Sequence, residues 1–153
     1  MKKGFFLKTD KKPLKTDKGW SLLAHTADIR LEAHGATLED FFINAARGLT
    51  ALISSNKKLT SHTDLEISFE ADCAEELLID WLRELLFLHQ SRKLAMIKVQ
   101  MITLSENDLR AKISFGIDRA DLEPPFEIKG VTYHGLSIVE TSEGYSAKIV
   151  FDI

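Results

Sequence analysis

The sequence predicts an α+β domain in two layers, with about two helices packed on one face of a largely antiparallel sheet. Several stretches alternate apolar and polar residues with the period of a half-buried strand, and two longer stretches carry apolar residues at helical spacing. The chain has 153 residues, 44% hydrophobic and 28% charged, enough to bury one full core without staples. It contains no internal repeat and no low-complexity segment.

Lys2 to Lys18 carry many lysines, one proline and no sustained periodicity, so residues 1–20 are expected to form a flexible N-terminal arm and residues 21–153 a single domain. A short strand is expected through Leu22 and Leu23. Next, Ile29, Leu31 and Ala33 alternate with Arg30, Glu32 and His34, and Gly35 supplies a turn. Thr37 with Asp40 three residues on resembles a capping box. It opens a helix whose stripe is Leu38, Phe41, Phe42, Ala45, Leu49, Leu52 and Ile53.

After a polar loop over residues 54–61, Leu65, Ile67 and Phe69 mark another strand. Asp72 and Glu75 offer a second capping box, for a helix built on Leu77, Leu78, Trp81, Leu82, Leu85 and Leu88 and running to about Ser91. Ala95 to Leu104 and Leu109 to Ile117 read as a hairpin. Residues 119–126, with Pro124-Pro125, are irregular. The last strands are expected over Glu127 to Tyr133 and Leu136 to Ile153, the second broken by a turn at Ser142-Glu143-Gly144.

The formal net charge is −3 and the basic residues are spread along most of the chain, which argues against a large direct nucleic-acid-binding surface. One cysteine, Cys73, leaves no intramolecular disulfide and no multi-cysteine zinc site, and suits a reducing compartment. The apolar run after Lys2-Lys3 is too short for a signal-peptide core, and no run approaches membrane-spanning length. The expectation is a cytoplasmic protein that does not use a membrane. There is no P-loop, GxGxxG or HExxH, so an autonomous NTPase, dehydrogenase or zinc protease lacks its motif.

The candidate chemistry lies at two strand ends. Asp28 shares the parity of Arg30, so it points away from the apolar face, beside His25 and Thr26. In the last stretch Tyr145, Ala147, Ile149, Phe151 and Ile153 share one parity, and Ser146, Lys148 and Asp152 the other. Asp152 therefore faces outward and is followed at once by the α-carboxylate of Ile153. If that end lies beside Asp28, three carboxylates converge, which is unfavourable unless a cation or a proton is shared. Oxygen-only ligation suits calcium, magnesium or manganese, and His25 would join for manganese or zinc. Spacing alone leaves the alternative of surface acids without a partner.

Other candidates read blandly. His34, His62 and His89 have no spaced partners and are expected at the surface or at helix ends; His134 lies in a Thr-Tyr-His segment, where a turn role is the simpler expectation. Cys73 opens a helix with no base implied nearby. Glu75, Glu76, Asp80 and Glu84 are expected on a solvated helix face.

His25-Thr26-Ala27-Asp28, Thr37-Leu38-Glu39-Asp40, Trp81-Leu82-Arg83-Glu84-Leu85-Leu86, Lys129-Gly130-Val131-Thr132-Tyr133-His134 and Phe151-Asp152-Ile153 together resemble the archease family, in its order and spacing, from about Leu22 to the last residue. The resemblance implies a two-layer α+β protein that is not itself a catalyst but a metal-binding accessory protein of the RtcB-type tRNA-splicing RNA ligase. It would promote attack of the ligase's active-site histidine on GTP (guanylylation), allow multiple turnover in tRNA splicing or RNA repair, and meet GTP and RNA only through the ligase. Carried over by residue, the metal site falls on Asp28, Asp152 and the terminal carboxylate of Ile153, with His25 in support. Lys129 becomes a contact for the ligase or a nucleotide phosphate. The chain departs from the family pattern in Gly130, where alanine is more usual, and in the residues before Ser21. Two other readings stay open: a small divalent-metal-dependent phosphohydrolase using Asp28 and Asp152, and a chaperone-like interaction module.

Overall fold

Ten elements follow one another in the computed structural model, which describes residues 18–24, 28–54, 59, 62–118 and 123–153. The arm expected over residues 1–20 therefore lies mostly outside the described residues, as does His25. The elements are β1 (Trp20–Ala24), β2 (Asp28–Gly35), α1 (Leu38–Ile53), β3 (Thr63–Glu70), α2 (Ala74–Arg92), β4 (Leu94–Leu104), β5 (Asp108–Ile117), β6 (Gly130–Thr132), β7 (Val139–Thr141) and β8 (Gly144–Asp152). Two helices thus pack against antiparallel strands, as the patterning predicts.

The strands divide between two sheets. One has the order β1-β2-β8-β6, with β7 also on β8; the other is β3-β5-β4. All pairings are antiparallel. The division follows from pairing: β5 is bonded on one side to β3 and on the other to its hairpin partner β4, so it has no edge left for the first sheet. Alternation reports which residues share a face but not which strand lies alongside.

Helix α1 begins where expected, with the Thr37 hydroxyl accepting the Asp40 N–H at 3.0 Å. The second helix begins one residue later than the proposed capping box. Cys73 is its N-cap without a side-chain cap bond, and Glu76, not Glu75, reaches back to the Asp72 N–H at 3.2 Å. Its end is set by Lys93, in the left-handed region at φ 58°, whose N–H returns to His89 and Leu88. The expected strand over Glu127 to Tyr133 shortens to β6, and the last stretch divides into β7 and β8 around Gly144.

The core is continuous across both helices and both sheets. Ile29, Leu31 and Ala33 of β2 and Ala147, Ile149 and Phe151 of β8 present buried faces to it. From α1 come Phe41 and Phe42, their rings edge to face at 5.8 Å. The buried Trp81 of α2 donates its indole N–H to the Phe42 carbonyl at 2.9 Å, joining the helices without leaving a polar group unpaired.

Gly48 lets α1 approach the sheet. A Cβ there would meet the two methyls of the buried Leu31 at 2.7 and 2.8 Å. Gly48→Ala is expected to destabilise the protein by about 1 kcal/mol net, overpacking outweighing the gain in helix propensity; urea unfolding checks this, and an unchanged or raised midpoint would contradict it.

On the outer face of the second sheet, Ser114 donates to Asp64 at 2.9 Å and accepts from Gln100. Hydrogen bonding by Ser114 and then by Gln100 holds the Asp64 carboxyl below its ordinary 3.8. Unfolding therefore takes up protons at this group, so its stabilising contribution is present above 3.8 and lost as pH falls through the lower folded-state value. An NMR titration should give Asp64 a midpoint below 3.8 that moves upward in Ser114→Ala.

Candidate functional site

The pairing of β2 with β8 builds the site. Their register runs from Asp28 opposite Asp152 to Gly35 opposite Tyr145. Because alternate residues face the core, Asp28, Arg30, Glu32 and His34 lie on the other face together with Asp152, Val150, Lys148 and Ser146. The two acidic residues thus stand opposite each other at a sheet end.

Asp152 is held from both sides. Beyond β8, β6 places Gly130 opposite Asp152, and the Lys129 N–H donates to the Asp152 carbonyl at 2.7 Å. A Cβ on Gly130 would lie 4.0 Å from Asp152 Oδ2, an ordinary contact, so alanine at this position would leave the carboxylate in place. The Lys129 side chain is exposed. It borders a groove with His89, Gln90, Lys93 and Phe126.

The polar surroundings of Asp28 are incomplete. Arg30 Nε lies 4.0 Å from Asp28 Oδ1, close enough for charge attraction but beyond a hydrogen bond. Both atoms are buried, and neither has a hydrogen-bond partner among the described residues. Among the described residues no three His, Cys, Asp or Glu side chains group so as to hold a metal ion. Here two side-chain carboxylates stand opposite each other in the register, and His25 lies outside the described residues. The donor set is all oxygen, and one buried carboxylate oxygen lacks a partner, which fits a hard divalent cation.

Helix α2 contributes more than its polar residues suggested. Arg83 donates to the Val131 carbonyl through Nη2 at 3.0 Å and Nε at 3.3 Å, and Gln90 donates to the Ile128 carbonyl at 3.1 Å. Glu75, expected on a solvated face, accepts the Ile138 N–H at 3.0 Å. These bonds fix the segment carrying Lys129 and β6. His89 is at a helix end as expected, yet its side chain is only 13% exposed and its Nε2 is 2.6 Å from Asp118 Oδ2. No spacing links residues 89 and 118; an aspartate just beyond an apolar strand was the only signal. The His34 carbonyl accepts from Asn44 at 2.8 Å, and the His134 N–H closes a turn onto Thr132 at 2.8 Å, the turn role expected of that segment.

Among the described residues no helix is long and apolar enough to cross a membrane.

The model of the Archease protein family (MTH1598/TM1083) matches residues 20–153. Protein archease of Methanosarcina barkeri is 36% identical over 141 residues, covering 89% of this chain and 97% of the relative. Protein archease of Pyrococcus furiosus is 33% identical over 141 residues, covering 88% and 98%. Among solved structures, protein 1598 of Methanobacterium thermoautotrophicum superposes with a TM-score of 0.70 at 27% identity, covering 89% of this chain and 99% of that one. The Thermotoga maritima archease, described as a possible chaperone, has a TM-score of 0.61 at 23% identity, covering 94% and 97%, a likeness of fold. With the family pattern matched from Trp20 to the last residue, and relatives a third identical over nearly their whole length, this chain belongs to the archease family.

Proposed function

We propose that this protein is a non-catalytic, metal-binding activator of an RtcB-type RNA ligase, promoting ligase guanylylation and multiple turnover in tRNA splicing or RNA repair. An accessory role fits the family. The observation that carries the metal part is the pairing of Asp28 with Asp152, with Asp28 Oδ1 buried and lacking a hydrogen-bond partner among the described residues.

Asp28, Asp152 and the Ile153 carboxylate would hold a calcium, magnesium or manganese ion, with His25 in support. When bound, such an ion neutralises charge on phosphate oxygens. The chain's own residues supply position. Asp152 is fixed by β2 and β6 together, so its carboxylate is presented at the sheet end without rearrangement. Lys129, exposed on the segment that Gln90 and Arg83 hold, would meet the ligase or a nucleotide phosphate. The protein brings no nucleophile of its own in this reading; the attacking histidine and the GTP belong to the ligase.

The test is multiple-turnover RNA ligation by the cognate ligase with this protein added. Asp28→Asn keeps size and shape while removing the charge. It should reduce stimulation by at least about tenfold, with circular dichroism and melting unchanged. Chelation with EDTA followed by gel filtration should abolish stimulation, and added divalent ion should restore it. Full stimulation by Asp28→Asn would sink the reading. Asp28-dependent nucleotide hydrolysis by the protein alone would replace it with the phosphohydrolase, and suppression of client aggregation that survives Asp28→Asn would favour the chaperone-like module.

A further inference from the structure

We propose that Arg30 is the chain's built-in counter-ion for the Asp28/Asp152 carboxylates and competes with a divalent cation for them, keeping the ion exchangeable. This rests on the metal-site reading above and adds to it the residue that sets affinity.

The argument begins with the outer face of β2 and β8. Along it, Glu32 lies opposite Lys148 and His34 opposite Ser146, while Arg30 lies opposite Val150, which offers no charge. Arg30 is therefore left without a cross-strand carboxylate. Its nearest acid is Asp28, two residues back on the same face, and Asp152 is the diagonal neighbour one pair further along. Electrostatics directs the guanidinium toward the acid pair.

The approach stops short of a bond. At 4.0 Å the Nε–Oδ1 pair attracts without forming a hydrogen bond, and both atoms are buried without a hydrogen-bond partner among the described residues. A settled ion pair would close that gap, since a carboxylate and a guanidinium form a short two-pronged contact when nothing prevents it. The arrangement instead leaves Asp28 Oδ1 without a hydrogen bond from the described residues while a positive charge stands beside it. The Arg30 side chain is 41% exposed, so it can turn into water when another cation takes the oxygen. Arginine does not lose its proton in proteins, so the competition comes from its charge and place rather than from titration.

The consequence is a site tuned toward weak binding. A guanidinium beside a carboxylate pair offsets part of its negative charge, so a divalent ion is attracted less than by the bare pair and must displace the guanidinium from Asp28.

Isothermal titration of the full chain with calcium and with manganese, at fixed ionic strength, tests this against Asp28→Asn as the control. Arg30→Gln, and Arg30→Met as a second variant that keeps the apolar stem, should lower Kd by about tenfold or more, a modest share of what a unit charge at this distance is worth near a surface. Arg30→Lys, which keeps the charge, should stay near wild type. Binding by the Gln and Met variants alone, with wild type silent, would support the proposal most strongly. Equal or weaker binding by both variants, with folded protein by circular dichroism, would overturn it while leaving the metal site standing. Absence of binding by wild type and by both variants would overturn the metal reading and this proposal together.

Discussion

The register between β2 and β8 is the constraint on which the rest depends. It joins residues 28–35 to residues 145–152, almost the full length of the described chain apart, and it does so by burying Ile29 against Phe151, Leu31 against Ile149 and Ala33 against Ala147 as opposed pairs. A slip of one residue would turn every one of these side chains to solvent, at about 1.5–3 kcal/mol for each large apolar group exposed. The same register sets Asp28 opposite Asp152. The acid pair is thus a by-product of core burial: the apolar parity specifies the alignment, and the polar parity inherits it.

Helix α2 gives that site its second support. Its buried face carries Leu77, Leu78, Trp81, Leu82 and Leu85 into the core, and Trp81 ties it to α1. Three of its other side chains go to backbone groups of the long segment before β8: Glu75 to Ile138, Arg83 to Val131, Gln90 to Ile128. Little regular structure exists in that segment, since β6 and β7 are three residues each. Side-chain bonds from a rigid helix replace the ladder that longer strands would have supplied. Lys129 and the strand flanking Asp152 are positioned in this way, and the His89–Asp118 contact fastens the end of α2 to the end of β5.

Charge completes the picture. Elsewhere on the outer face of β2 and β8, Glu32 stands opposite Lys148 in the register, whereas at the end of the pairing Asp28 stands opposite Asp152, two like charges. Arg30 approaches without bonding. Among the described residues, Asp28 Oδ1 and Arg30 Nε are the buried side-chain atoms left without a hydrogen-bond partner.

The sequence by itself determined both helices, because their apolar stripes and the Thr37 cap are local properties. It also determined the outward orientation of Asp28 and Asp152, because parity within a strand needs no knowledge of neighbours. The shared site was legible only as a condition, since alternation does not say which strands pair; the five-motif family likeness made it an expectation. Tertiary structure alone decided that β3, β4 and β5 form a separate sheet, that Glu75 pins a distant amide, and that His89 finds Asp118. Each depends on contacts between residues far apart in the chain, and such contacts are selected by which surfaces the whole core leaves to be covered, a quantity no local pattern carries.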